Sequence, residues 1–428
     1  MAITVDAAPH PLQPVYEPFF FQVSSSNYNQ PQFRFIFDVY KNGTYVERIK
    51  MMTQPGLNKA IFSPARIMES YLSYDIPTGT NLQQYQTNTI AHYYVKFGEE
   101  YGPVTANPVV YADLDRRSGY TWNGTVQYSN YYFAAGAGYT TPHYLKNVAI
   151  YGSSIGKFLT NSPTGQTIGS DDEHTLDCFN LNPDVNLDTN LQKACRIEVI
   201  TYQTSGGSTT SIYNFGANTG TSMTYNVGHW PAGPKNLIAM PFAAKVSGAF
   251  PSINTSTDYK YTVSLMNSSS DRISERREFT IQDCGKYESV RLMWLNKLGG
   301  WDYFNFRLVS RDTVNSEKTT YKKNIPIDYY YGLVSSAREL TVVDSMVQKS
   351  KRVTSNWVTD EESVWLEELW SSPEVYEITD DVNYTGVKVP TPIVITTTTQ
   401  EIKKRINDQI FNYELDYKYA SQINVQRG

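Results

Sequence analysis

The chain has 428 residues, too many for one ordinary core, and its 40% hydrophobic residues suffice for two or three packed interiors. Charged residues make up only 18%, the formal net charge is -5, and no Lys/Arg run is long enough to track phosphates, which excludes a basic nucleic-acid binder. No window approaches about 18 uninterrupted apolar residues, so no membrane-spanning helix is expected.

Tyrosine is the outlier, with 34 residues against 18 Phe and 7 Trp. A tyrosine buries a large ring and keeps a hydroxyl for a partner, which suits strands and subunit-covered surfaces. Cys178, Cys195 and Cys284 are odd in number and far apart, with no CxxC pair. This pattern argues against a disulfide framework or zinc site, and for folding in a reducing cytoplasm.

In chain order, residues 1–30 read as an extended arm. Pro9, Pro11, Pro14 and Pro18 forbid regular helix and central strand. Val15, Tyr16, Phe19, Phe20 and Phe21 are too apolar for a free tail, so the arm is expected to lie across its own domain or a neighbour. No basic region followed by an apolar stretch marks a secretory signal.

Phe33, Phe35, Phe37 and Val39 alternate with Arg34 and Asp38, predicting a strand with one buried face. Asn42-Gly43 then predicts a two-residue type I′ hairpin, with Thr44 to Met52 returning. A further strand is expected through Tyr93, Val95 and Phe97, ending at Gly98. Residues 103–141 turn to Tyr, Gly, Ala, Asn and Thr and read as a long loop or hairpin inserted in the first domain. Its Trp122, Tyr128, Tyr131, Tyr132 and Tyr139 suit burial against a neighbouring protein, or stacking on sugar rings.

Strand signals resume at Ala194 to Thr201 and Tyr259 to Leu265. Ser289 to Leu295 and Trp301 to Val309 flank Asn296-Lys297-Leu298-Gly299-Gly300, a second hairpin. Thr359 with Glu362 makes a capping box, and Trp365, Leu366, Leu369 and Trp370 give an apolar helical face, so a helix spans 359–372. Phe411, Tyr413, Leu415, Tyr417 and Tyr419 alternate with polar residues and predict a strand closing the last domain.

The fold expected is mainly β: a sandwich-like domain at 31–282 carrying the 103–141 insertion, then a smaller β-rich domain at 283–428 with one short helix. No GxSxG, P-loop or GxGxxG is present, and the histidines show neither HxH nor HExxH spacing. Asp171-Asp172-Glu173-His174 reads as a solvated polar loop sooner than a metal site. Asp113/Asp115 and Glu361/Glu362 are the nominal carboxylate pairs for glycoside hydrolysis, and the second is explained by a helix start. The residues point to no catalytic, cofactor or metal site.

Several blocks together resemble a family of tailed-bacteriophage virion proteins, including those of crAss-like and marine phages. They are Asn29-Gln30-Pro31-Gln32-Phe33-Arg34-Phe35-Ile36-Phe37-Asp38-Val39-Tyr40 and Val95-Lys96-Phe97-Gly98-Glu99-Glu100-Tyr101. Later come Cys284 with Trp294-Leu295-Asn296-Lys297-Leu298-Gly299-Gly300-Trp301-Asp302-Tyr303-Phe304, and Leu366 to Tyr376. The resemblance implies a tail hub, adaptor-ring or baseplate component, made in the host cytoplasm and housed in the virion. It would work by ring-forming assembly with sister copies and other virion proteins. The arm aromatics Tyr16, Phe19, Phe20 and Phe21 and the loop aromatics Trp122, Tyr131, Tyr132 and Phe133 are the expected assembly interface. The alternative is a receptor module at the tail tip that binds host-surface glycan.

Overall fold

The computed structural model describes residues 3–9, 12–17, 19–77, 84–102, 109–125, 155–179, 196–214, 218–219, 222–223, 237–242, 253–267, 269–283, 286–324, 339–381, 383–384, 387–397, 412–421 and 423–424. Among the described residues strands take up 55% and helices 6%, so the fold is mainly β. It divides into two compact units, one of residues 1–282 with Leu295–Asp302, the other of 283–294 with 303–428.

In the first unit, a sheet ordered Ile3–Ala7, Phe21–Ser25, Lys59–Phe62 faces a five-stranded one ordered Leu12–Pro14, Val109–Trp122, Ile90–Tyr101, Arg34–Lys41, Thr44–Met51. Phe21, Val23 and Phe62 from one meet Phe35, Phe37, Val95 and Phe97 from the other in a single core, which Met68 of the short helix Ala65–Glu69 joins. This is a sandwich, and the arm is woven into both of its layers. Leu12–Pro14 runs parallel to Val109–Trp122 at the sheet edge, where a proline costs no ladder bond.

Three local expectations are corrected. Arg34–Lys41 buries both faces, because Ile36 is covered and Asp38 is neutralised by both nitrogens of the Arg48 fork at 2.7 Å. The strand through Tyr93 does not end at Gly98 but runs over Ile90–Tyr101; the glycine sits at a bulge in the pairing with the next strand. That next strand is Val109–Trp122, so the first half of the expected insertion is an inner strand of the sheet. Its Val109, Val110, Tyr111, Tyr120, Thr121 and Trp122 are good strand formers, and the glycine-rich text begins only beyond them. The hairpin turn stands as expected: Asn42 and Gly43 both have positive φ, +50° and +89°, as type I′ requires.

A second pair of sheets in the same unit runs Thr175–Phe179, Leu237–Pro241, Gln84–Tyr85 and Gly165–Ile168, Arg277–Ile281, Asp258–Met266, Arg196–Gln203, Ser208–Asn214. Leu176 and Cys178 of the first pack with Ile197, Val199, Val263, Leu265 and Phe279 of the second.

The second unit is one eight-stranded sheet with a helix on one face. Its main path is Trp301–Phe306, Val290–Leu295, Val375–Asp380, Lys388–Ile395, Glu414–Tyr419, Leu340–Thr354, Arg311–Lys322. The helix is Asp360–Ser371, and Thr359 and Glu362 form the reciprocal capping box. Trp365, Leu366 and Leu369 pack on Val290, Leu292, Trp294, Val375 and Leu415. The alternation at the carboxy-terminal end places Tyr413, Leu415 and Tyr417 inward. That strand lies between two others and is not at the rim, because its remaining backbone bonds are taken by Lys388–Ile395 and Leu340–Thr354.

Candidate functional site

The arm aromatics are largely spent inside the chain. Phe19 and Phe21 are buried, with ring centres 5.5 Å from Tyr93 and 5.3 Å from Phe97. Phe20 is half-buried, and only Tyr16, 54% exposed, keeps its ring in solvent. For Phe19 and Phe21 this corrects the expected interface: rings already covered by their own sheets have no area left for a sister copy. Tyr131, Tyr132, Phe133, Tyr128 and Tyr139 lie outside the described residues.

Trp122 is likewise sealed, and it pins a joint within the first unit. Its Nε1 donates to the Leu298 carbonyl at 3.0 Å, and its ring meets Phe179 edge-on. Around it, Thr125 N donates to Lys297 O at 2.7 Å, Asn296 Nδ2 to Leu159 O at 2.7 Å, and Trp301 Nε1 to Asp75 O at 2.9 Å. The turn Leu295–Asp302 is thus held from several sides. Gly299 sits in it at φ +86°, where an added Cβ would collide with the Asn123 carbonyl oxygen. Gly299→Ala therefore combines left-handed strain with a backbone clash, and should cost roughly 3 kcal/mol in urea unfolding. An unchanged midpoint would contradict the close approach.

Beside this turn, Asp177 is 2% exposed. Its Oδ2 accepts from Trp301 N at 2.7 Å, while Oδ1 has no hydrogen-bond partner. Burial pushes its carboxyl up to about 7, the Trp301 N–H opposes this, and the nearby Asp302 charge adds to it. Burial and Asp177 together push the Cys178 thiol far up, so it stays protonated and unreactive. A carboxyl with this pKa has the value of a general acid or base, but the thiol beside it stays protonated, so the pair offers no nucleophile. Its consequence is for stability. The folded state holds the proton more tightly than the unfolded chain, so the unfolding free energy falls as pH rises from the ordinary carboxylate range to about 7, and is lowest above that. The penalty is on the order of 4 kcal/mol. Asp177→Asn should raise stability at pH 8 by about 2 kcal/mol, after the cost of an unpaired amide hydrogen, and flatten the slope between pH 4 and 8. Thermal melts across that range check this; an unaltered slope refutes it.

The densest polar constellation of the second unit centres on Glu377. This buried carboxylate accepts from Lys351 Nζ at 2.7 Å, Tyr417 Oη at 2.9 Å and Tyr419 Oη at 2.6 Å. Glu377 raises Lys351 despite burial, holding it cationic. Burial and then Glu377 raise both tyrosines, Tyr419 up to about 12 and Tyr417 further. Every shift runs away from neutrality, so the cluster keeps its protons instead of transferring them. It is a structural lock.

The remaining sequence candidates are also structural in what they touch. Asp172 Oδ2 accepts from Gly169 N at 2.6 Å, and His174 is buried against the Phe279 ring. Among the described residues no group of three His, Cys, Asp or Glu is placed to hold a metal. Glu362 is bound into the capping box and Glu361 faces solvent at the helix start. The side chains of Asp113 and Asp115 lie outside the described residues.

What remains open to a partner is an edge of the second unit that sequence reasoning passed over. Arg311–Lys322 pairs with Leu340–Thr354 along its whole length and is exposed at every one of its 12 residues, a strand about 40 Å long. The next strands reach Leu340–Thr354 only at Ser350–Thr354 and at Met346 and Val347. Among the described residues the segment Leu340 to Ser345 has no other neighbour, so the outer ribbon is two-stranded. It carries Val314 (62% exposed), Leu340 (64%), Tyr321 and Val343 into solvent. The signal in the sequence was the β-branched text of Thr313-Val314, Thr319-Thr320-Tyr321 and Thr341-Val342-Val343, whose dilution by Lys, Glu and Asp hides any apolar period.

No family model matches the chain, and no curated protein matches it in sequence.

Proposed function

We propose that this protein is a structural subunit of a bacteriophage tail, a hub, adaptor-ring or baseplate component that works by assembly with sister copies and other virion proteins. Its mechanism is positional: no covalent step is involved, and the work is burial of surface between subunits. The observation that carries the reading is the ribbon of Arg311–Lys322 and Leu340–Thr354. A two-stranded ribbon is marginal in water by itself, and one bearing exposed Val314, Tyr321, Leu340 and Val343 gains when a neighbour covers it. The virion-protein resemblance of the sequence blocks supports the same reading, and the sealed Trp122 takes one ring away from the glycan-binding alternative.

The double variant Val314→Asp/Leu340→Asp tests it. Both side chains face solvent, so folding should be unchanged, while the oligomer should dissociate at least tenfold more readily. A folded variant that assembles like the parent would refute the role of the ribbon.

A further inference from the structure

Among the described residues of the second unit, one full charge is shut in with its bonding groups open. Arg307, directly after the strand Trp301–Phe306, is 5% exposed, and both Nη1 and Nη2 are buried with no hydrogen-bond partner. Two residues before it, Asn305 Oδ1 accepts from Nη1 of the buried Arg291 at 2.6 Å. The Arg291 guanidinium lies over the Tyr303 ring, 5.0 Å from its centre. One strand pair therefore carries two buried guanidiniums.

A buried lysine or carboxyl escapes its desolvation cost by neutralising, but a guanidinium keeps its charge at any pH a protein survives. Left without an acceptor it is among the most expensive groups to bury. Its two terminal amino groups form a rigid planar edge that matches two oxygens of one anion. We propose that Arg307 is the anchor of an oxyanion site: it closes bidentately on a carboxylate or phosphate group, with Arg291 supplying a second positive charge and Asn305 holding Arg291 in place. The same chemistry has two sources, a small free anion or an acidic side chain of a neighbouring subunit. Only the second source rests on the assembly reading.

Thermal unfolding of the full chain, at constant ionic strength, with inorganic phosphate and then acetate titrated in, separates them. Arg307→Met and Arg307→Lys are run alongside. If a free anion fills the site, the parent melts roughly 3–5 °C higher per tenfold rise in anion above its dissociation constant. The Arg307→Lys variant then retains part of that response and the Arg307→Met variant none. If a neighbour's carboxylate fills it, the parent ignores added anions, Arg307→Met loses the oligomer while still folding, and Arg307→Lys keeps some of it. A parent insensitive to both anions, together with an Arg307→Met variant that assembles normally and melts as high or higher, overturns the site.

Discussion

Trp122→Ala is expected to destabilise the first unit by about 4 kcal/mol, as removal of a fully buried indole from a packed joint does. The loss has three parts. The ring leaves a cavity against Phe179, the Leu298 carbonyl loses its donor, and Gly124 and Gly299, packed against the indole, lose their neighbour. The assay is urea unfolding followed through the aromatic signal of the isolated chain. The result distinguishes two uses of an aromatic ring. An interface anchor costs affinity and leaves the subunit stable, whereas this one should unfold the subunit whatever its oligomeric state. Tyr16→Ala, at an exposed ring of the amino-terminal arm, should leave the unfolding midpoint where it is.

Glu377→Ala should cost the second unit roughly 3–5 kcal/mol, the usual consequence of stranding the partner of a buried ion pair. Lys351 would keep its charge with only the longer 3.8 Å approach to the exposed Asp312, and the Tyr417 and Tyr419 hydroxyls would lose their acceptor together. Glu377→Gln separates charge from shape: it restores the acceptor oxygen but not the ion pair, so it should recover part of the loss. The comparison is with Arg352 and Asp416, which form an equally short pair of bonds at 2.6 and 2.8 Å in the open. Screening by solvent makes their truncation undetectable in the same melt. Equal losses at the two pairs would show that the Glu377 network is not buried in solution.

The elements with a local chemical cause were legible in the sequence. The Asn42-Gly43 turn, the capping box of Thr359 and Glu362 and the alternation from Tyr413 to Tyr419 each follow from a few neighbouring residues, and each stands where those residues put it. Elements whose cause is distant were not. Gly98 reads as a terminator until the strand beside it shows a bulge, and Val109–Trp122 reads as insertion until Leu12–Pro14 and Ile90–Tyr101 pair with its two edges. Phe19, Phe21 and Trp122 misled for the same reason. An apolar ring wants cover, but composition does not say whether a sister copy or the chain's own sheet supplies it; for Phe19, Phe21 and Trp122 it is the chain itself. The ribbon was missed because its charges protect the edge from indiscriminate pairing and, in doing so, erase the hydrophobic period that announces a strand.

Sedimentation velocity or native mass measurement of the purified full chain, across a range of concentrations, bears most directly on the proposed role in assembly. A discrete closed oligomer is expected, its mass an integral multiple of 48.6 kDa, and it should be lost in Val314→Asp/Leu340→Asp. A single 48.6 kDa species at every concentration would contradict the proposed role in assembly.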